Sequence, residues 1–265
     1  MTTASVAPDY TWNIRINSFE VGPDRRLRLS NQLKLQQEVG ELHLSAGGLG
    51  YDELYRHGIA FVLTRLHTVI HRAPLLGENV RLQTWHRDSK GAQFFRCYQF
   101  LDGEDRLLID SVTAFALVDV KDHKLLRPGV FEQFGLYEQP DRRGSCADPA
   151  KLRPPAELAA AGERTVRWSD IDCNGHLNNT VYADIACDAL PGGMAGKRII
   201  EASVVFVHEA VEGEALSLFA GTEAGEKEPS AGWVVGDLPD GRRCFEARIT
   251  TQTAAEGSDG NRWKA

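Results

Sequence analysis

Between Asp170 and His176 the chain places two carboxylates, a carboxamide and an imidazole, in the order Asp170, Asp172, Asn174, His176. These are the groups of acid–base and hydrolytic chemistry. A carboxylate acts as base or nucleophile, and an imidazole moves or orients protons. Val181, Ile185 and Ala189 recur every fourth residue after the cluster, which predicts a helix from Asn178 to Leu190. Asn178 or Asn179 can cap it, and Pro191-Gly192-Gly193 stops it. Free N–H groups at a helix N-terminus stabilise negative charge, as on a carbonyl oxygen becoming an oxyanion. Turn or cap duty explains Asp170, Asn174 or Asn178 taken singly, because these residue types form turns anyway. Capping requires neither His176 nor Asp172, and the two together point to chemistry.

The elements that must hold this cluster follow from periodicity. Val166 and Trp168 give β-branched and aromatic character to a strand from Thr165 to Ser169, ahead of the turn. A β run from Arg198 to Gln252 follows the helix. The first half of the chain repeats the plan. Trp12, Ile14 and Ile16 alternate with polar residues in a strand from Tyr10 to Glu20. A helix beginning at Ser30 or Asn31 carries Leu35, Val39, Leu42 and Ala46 on one face and ends at Gly47-Gly48. A short helical turn spans Tyr51 to His57. Strands are expected at Ala60 to His71, Val80 to His86, Gln93 to Leu101 and Leu107 to Val118, with Asp102-Gly103 as a hairpin signal.

Three correspondences suggest a duplication. His71 matches His208 at a shift of 137, Gly77-Glu78 matches Gly213-Glu214 at 136, and Asp102-Gly103 matches Asp240-Gly241 at 138. Two similar α+β units are therefore expected, each a central helix on a curled antiparallel sheet. The boundaries read as a first unit at 1–127, a proline-rich linker at 128–161, a second unit at 162–253 and a mobile tail at 254–265. The first unit has Val21-Gly22-Pro23-Asp24-Arg25-Arg26 where the second has its acid, amide and imidazole, and Arg72 follows His71 where Glu209 follows His208. This asymmetry assigns chemistry to the second unit and a different task, such as chain binding, to the first.

With 265 residues, 42% hydrophobic and 25% charged, the chain has the composition of a soluble globular protein. A net charge of −7 argues against nucleic-acid binding as its main role. Five dispersed cysteines without a C-x-x-C fit a reducing compartment and argue against a zinc module. Met1 to Tyr10 has no basic start followed by an apolar run, and no stretch approaches membrane-spanning length, so a cytoplasmic location is expected. His67, His71 and His208 fall on strands and read as structural. Neither a metal nor a cofactor is expected.

Asp170-x-Asp172-x-Asn174-x-His176-x-Asn178-Asn179-x-x-Tyr182 resembles the signature of the plant and bacterial fatty acyl-ACP thioesterases, which are double-hotdog enzymes. The likeness extends through Leu35-Gln36-Gln37-Glu38-Val39, Val80 to Trp85 and Ser203 to Leu218. Single-hotdog acyl-CoA thioesterases share the shorter core of the motif, whereas the two-unit length points to the acyl-carrier-protein branch. The resemblance implies an α+β tandem double hotdog that hydrolyses acyl-carrier-protein thioesters, with acylated carrier protein as the partner and a homodimer compatible with it. Acyl-CoA hydrolysis is the alternative, and a non-catalytic acyl-binding protein is the outsider.

The resemblance also implies catalytic roles for Asp172, Asn174, His176 and Glu209. Many relatives have Cys after that Glu; here Ala210 takes its place, which rules out a thiol nucleophile there. Cys173 lies at a variable position and reads as inert. Two mechanisms stay open. In one, Asp172 and Glu209 deprotonate water, Asn174 orients it, His176 donates to the thioester, and N–H groups near Gly175 to Leu177 hold the oxyanion. In the other, Asp172 attacks directly. Arg25, Arg26, Arg28, Arg142, Arg143, Lys197 and Arg198 are candidates for docking an acidic carrier.

Overall fold

The computed structural model describes residues 6–130, 134–223 and 230–254. The tail expected at 254–265 lies, from residue 255 onward, outside the described residues. The first half contains β1 (Asp9–Arg15), α1 (Leu29–Ala46), α2 (Tyr51–Arg56), β2 (Ile59–Ile70), β3 (Asn79–Lys90), β4 (Gln93–Leu101) and β5 (Leu107–Asp119). The second contains β6 (Ala159–Thr165), α3 (Val181–Ala189), β7 (Lys197–Phe206), β8 (Ala215–Thr222), β9 (Ser230–Asp237) and β10 (Arg243–Thr253). All strands join one antiparallel sheet in the order β1-β3-β4-β5-β2-β7-β10-β9-β8-β6. Read inward from either edge the order is the same, so the halves mirror each other about the β2–β7 seam. His67 stands opposite Ser203 at its centre, with Nδ1 and Oγ 2.7 Å apart.

Apolar stripes place the helices. Leu33, Leu35 and Val39 of α1 are buried in one core with Val80, Leu82 and Phe100, while Tyr182, Ile185 and Ala186 of α3 are buried with Val234, Phe245 and Ala247. These side chains supply most of the drive that holds helix to sheet, at about 1.5–3 kcal/mol for each large one buried. Tyr182 packs edge-on to Phe206, and its hydroxyl lies 3.5 Å from Cys244 Sγ, as a packing residue with a polar tip.

Several expected boundaries move. The strand read at Thr165 to Ser169 is β6, which starts at Ala159 and ends at Thr165, and Trp168–Asp170 is a 3-10 turn. The Asp170 carboxylate closes that turn by accepting the Arg167 N–H at 2.8 Å and bonding Arg164. Trp168 is 78% exposed, so its aromatic ring is not strand packing. The first strand likewise ends at Arg15, α1 starts at Leu29, and α3 starts only at Val181.

The expected linker is largely a strap. The Trp85 indole N–H donates to Arg142 O at 3.0 Å, and the Arg142 guanidinium lies 4.0 Å over that ring while pairing with Asp9. Asp110 Oδ2 accepts N–H bonds from Ser145 and Cys146. A Cβ at Gly144 would sit 2.4 Å from the Asp110 carboxylate oxygens, so only glycine lets the strap lie this close. The strap covers the face of the first sheet opposite α1, burying Trp85, Phe95 and Cys97.

Candidate active site

The second-half turn is built by backbone bonds that position its side chains. Asp172 N–H donates to His176 O, Gly175 N–H to Asp172 O, Leu177 N–H to Ala210 O and Asn178 N–H to Asp170 O. Gly175 takes φ +83°, which favours glycine. Asn178 does not cap α3 in the expected way; its Oδ1 accepts from the N–H and hydroxyl of Thr180, at 2.9 and 2.7 Å, and so sets the entry to the helix. Asp170 is buried against Arg164 and serves the fold.

Leu177 N–H to Ala210 O also draws the segment after β7 against the turn. That contact brings Glu209 to His176, with Oε2 and Nε2 3.2 Å apart. The imidazole is about one-third exposed and the carboxylate more so, which leaves both open to a substrate. Asp172 and Asn174 make a separate set of contacts. Asp172 Oδ1 accepts the Asn174 N–H at 2.8 Å, and among the described residues no hydrogen bond joins the Asp172 carboxylate to the side chain of His176 or Glu209. Asn174 Oδ1 accepts from the Tyr51 hydroxyl at 2.5 Å. Tyr51 belongs to α2 in the first half, and no spacing in the sequence announces it. The two residues share an open groove of about 600 Å³ with Asp52, Tyr55, Arg56 and Cys173. The four candidates thus form two pairs, Asp172 with Asn174 within the turn and His176 of the turn with Glu209 of the segment after β7.

One expectation needs correction. Of the N–H groups expected to hold an oxyanion, those of Gly175 and Leu177 are spent on Asp172 O and Ala210 O. Only that of His176 keeps no protein acceptor among the described residues. Among the docking candidates, Arg142 and Arg143 are drawn into the strap, paired with Asp9 and Asp88, and Lys197 bonds Pro191 O. Arg25 and Arg28 stay exposed. Among the described residues no helix is long and apolar enough to cross a membrane, and no group of three His, Cys, Asp or Glu is arranged to hold a metal.

The backbone bonds also fix the internal match. Gly22 N–H to Arg26 O, Arg25 N–H to Gly22 O, Leu27 N–H to Pro74 O and Arg28 N–H to Glu20 O reproduce the second-half turn bond for bond. Asp172 thus corresponds to Gly22, Asn174 to Asp24 and His176 to Arg26. His71 and Arg72 donate to Leu108 O as Val207 and His208 donate to Cys244 O, a uniform shift of 136. His71 therefore matches Val207, the counterpart of Glu209 is Ala73, and Asp102 matches Leu238 in the bonds Asp102 N–H to Arg106 O and Leu238 N–H to Arg242 O. Matching by residue type was off by one or two positions where side chains had changed.

The sheet is mirrored about the β2–β7 seam, and of its two matching turns the second carries acid, amide and imidazole together. The acyl-ACP thioesterase N-terminal domain matches residues 8–129 and the acyl-ACP thioesterase C-terminal domain residues 156–237; the chain belongs to this family. It is 25% identical over 199 residues to an acyl-[acyl-carrier-protein] hydrolase of Cuphea viscosissima, covering 68% of this chain and 46% of that protein. The chain thus spans about half the length of the curated relatives it matches. Among solved structures it resembles an oleoyl thioesterase from Lactobacillus plantarum, with TM-score 0.81, 20% identity, and 96% and 100% of the two chains covered. It also resembles the 12:0-ACP thioesterase of Umbellularia californica, with TM-score 0.78, 20% identity, and 92% and 94% covered. These likenesses show the hotdog fold.

Proposed function

We propose that this protein hydrolyses fatty acyl-[acyl-carrier-protein] thioesters, releasing free acid and ending chain elongation. The family membership supports the substrate class. The observation that carries the reading is the His176–Glu209 contact at 3.2 Å beside Asp172 and Asn174, in one half only. The proposed architecture is a tandem double hotdog, with residues 1–127 forming the acyl-binding unit and 162–253 the catalytic unit.

In this mechanism Glu209 orients the His176 imidazole, and the pair takes the proton of a water attacking the thioester carbon. His176 returns that proton to the leaving sulfur. The Asn174 amide and the His176 N–H donate to the carbonyl oxygen as it gains charge. Asp172 keeps the turn closed through Asn174 N–H, and its second oxygen remains for the water.

The test is hydrolysis of one acyl chain offered on acyl carrier protein and on coenzyme A. Higher kcat/KM on the carrier protein, weakened by added salt, is the expected result. Equal or better turnover of the coenzyme A ester would move the assignment to acyl-CoA hydrolysis, and no turnover of either would remove the enzyme reading.

A further inference from the structure

Asn174 is held by a residue outside its own half. The Tyr51 hydroxyl donates to Asn174 Oδ1 at 2.5 Å across 123 residues of sequence. Tyr51 is itself fixed on two sides. Its backbone N–H donates to Glu41 Oε1 at 2.7 Å, an oxygen that also accepts from Ser45 Oγ at 3.0 Å. Its ring stacks on Tyr55, with centroids 6.3 Å apart and planes 19° from parallel. A Cβ at Gly50, just before it, would sit 2.5 Å from Ser45 Oγ, so a side chain there would have to displace that hydroxyl. The tyrosine is therefore aimed before the amide reaches it.

We propose that Tyr51 is a positioning residue that fixes the rotation of the Asn174 carboxamide, so that the first half completes the catalytic turn of the second. The proposal rests on the thioesterase reading above and deepens it. With Oδ1 occupied, the amide presents its NH₂ group, which meets no protein acceptor among the described residues. Asn174 then serves as a donor to the thioester oxygen or to water, not as an acceptor. Desolvation, followed by the neighbouring Cys173, Tyr55, Asp172 and Asp52, raises the Tyr51 pKa, which keeps the phenol protonated as a donor. The contact also lies on the wall of the open groove between α2 and the turn.

The experiment compares wild type, Tyr51→Phe, Asn174→Asp and the double variant, all in the full chain. Tyr51→Phe keeps the ring stack and should lower kcat about 3- to 10-fold, the worth of one neutral hydrogen bond, with little change in KM or melting temperature. Asn174→Asp keeps an acceptor for Tyr51 but loses the NH₂ donor, and should cost more than Tyr51→Phe alone. In that background Tyr51→Phe should cost nothing further. A kcat within twofold of wild type for Tyr51→Phe, or equal losses in both backgrounds, would overturn the proposal. If wild type hydrolyses no acyl thioester, the thioesterase reading fails separately. The ¹⁵N resonance of the Asn174 side-chain amide then decides the contact: Tyr51→Phe should shift it and increase its fast motion, and an unchanged signal would refute the positioning role.

Discussion

The turn at Gly22 to Arg28 and the turn at Asp172 to Asn178 share one backbone and differ in nearly every side chain. Four main-chain hydrogen bonds recur between them, and each follows a 3-10 turn, at Ser18–Glu20 and Trp168–Asp170. Arg25 even holds φ +62° where Gly175 holds +83°. The fold therefore does not require acid, amide and imidazole at this place. Where they occur, they are available for another purpose, and only there does a glutamate come to meet the histidine. Ala73, which stands where Glu209 does, could not do so.

The largest effect expected from this comparison is on rate. His176→Ala and Glu209→Gln should each lower kcat/KM for an acyl-carrier-protein substrate by about 10²–10⁴-fold, the range for a positioned acid or base. Arg26→Ala, at the matching place in the first turn, should leave kcat within twofold. A comparable loss at both turns would mean that the motif shapes the fold and that the halves do not divide the labour.

A second difference lies beneath the helices. Across β3, β4, β5 and β2 of the first half, Thr84, Tyr98, Ser111 and Thr68 stand directly opposite one another in register. The same row in the second half is Ala220, Val234, Ala247 and Val204. Beside it, Arg96 lies near Gly40 of α1, where the second half has Gly232 near Leu190. The large partner has moved from helix to sheet and the small one from sheet to helix. Arg96 donates to His43 Nδ1 at 2.9 Å and to Thr84 Oγ1 at 3.2 Å, so a buried cation rests on neutral acceptors.

That polar band makes the first half sensitive to acid. Burial, with the Arg96 charge next in weight, lowers the His43 pKa to about 4 and the His86 pKa to about 3. Both folded values lie below the usual 6.5, so the unfolded chain takes up protons first. Stability is full above about pH 6.5 and falls as pH drops toward the folded values, by roughly 1.4 kcal/mol per pH unit for each histidine. Neither second-half histidine, His176 or His208, is buried. Urea unfolding at pH 7, 6 and 5 should show this slope in wild type and a shallower one in His43→Gln. An unchanged slope would place the acid sensitivity elsewhere.

The sequence displays some of this comparison and hides the rest. The turn chemistry at 170–176, the strand at Gln93–Leu101 and the paired turns at Gly77 and Gly213 can be read directly, because turns and alternating strands are local. The strap could not be read as one, since alternation along β3 shows which residues share a face and not that both faces are covered. The His71–His208 match misled because the motif residues themselves diverged, while the backbone bonds kept the register. Tyr51 lies outside every motif; only packing α2 against the far turn gives it a role.

The smallest effect is the most discriminating about the interior. Gln36 is 3% exposed, and among the described residues neither its Oε1 nor its Nε2 meets a protein partner, whereas Gln32, one turn earlier, donates to Thr68 Oγ1 at 2.8 Å. Counted from the shared turn, its counterpart is Ala186, fully buried and apolar. A buried amide without partners forfeits its desolvation energy, about 1–3 kcal/mol. Gln36→Leu removes that cost at similar volume and should raise the melting temperature by roughly 2–4 °C for each kcal/mol regained. Gln36→Ala copies the second half chemically but leaves a void under the longer α1, so it should gain less or lose stability. A lower melting temperature for the leucine variant would show that the amide is satisfied in solution. The polar row would then be a filled network, and the two interiors would differ in what they contain, not in how well they are packed.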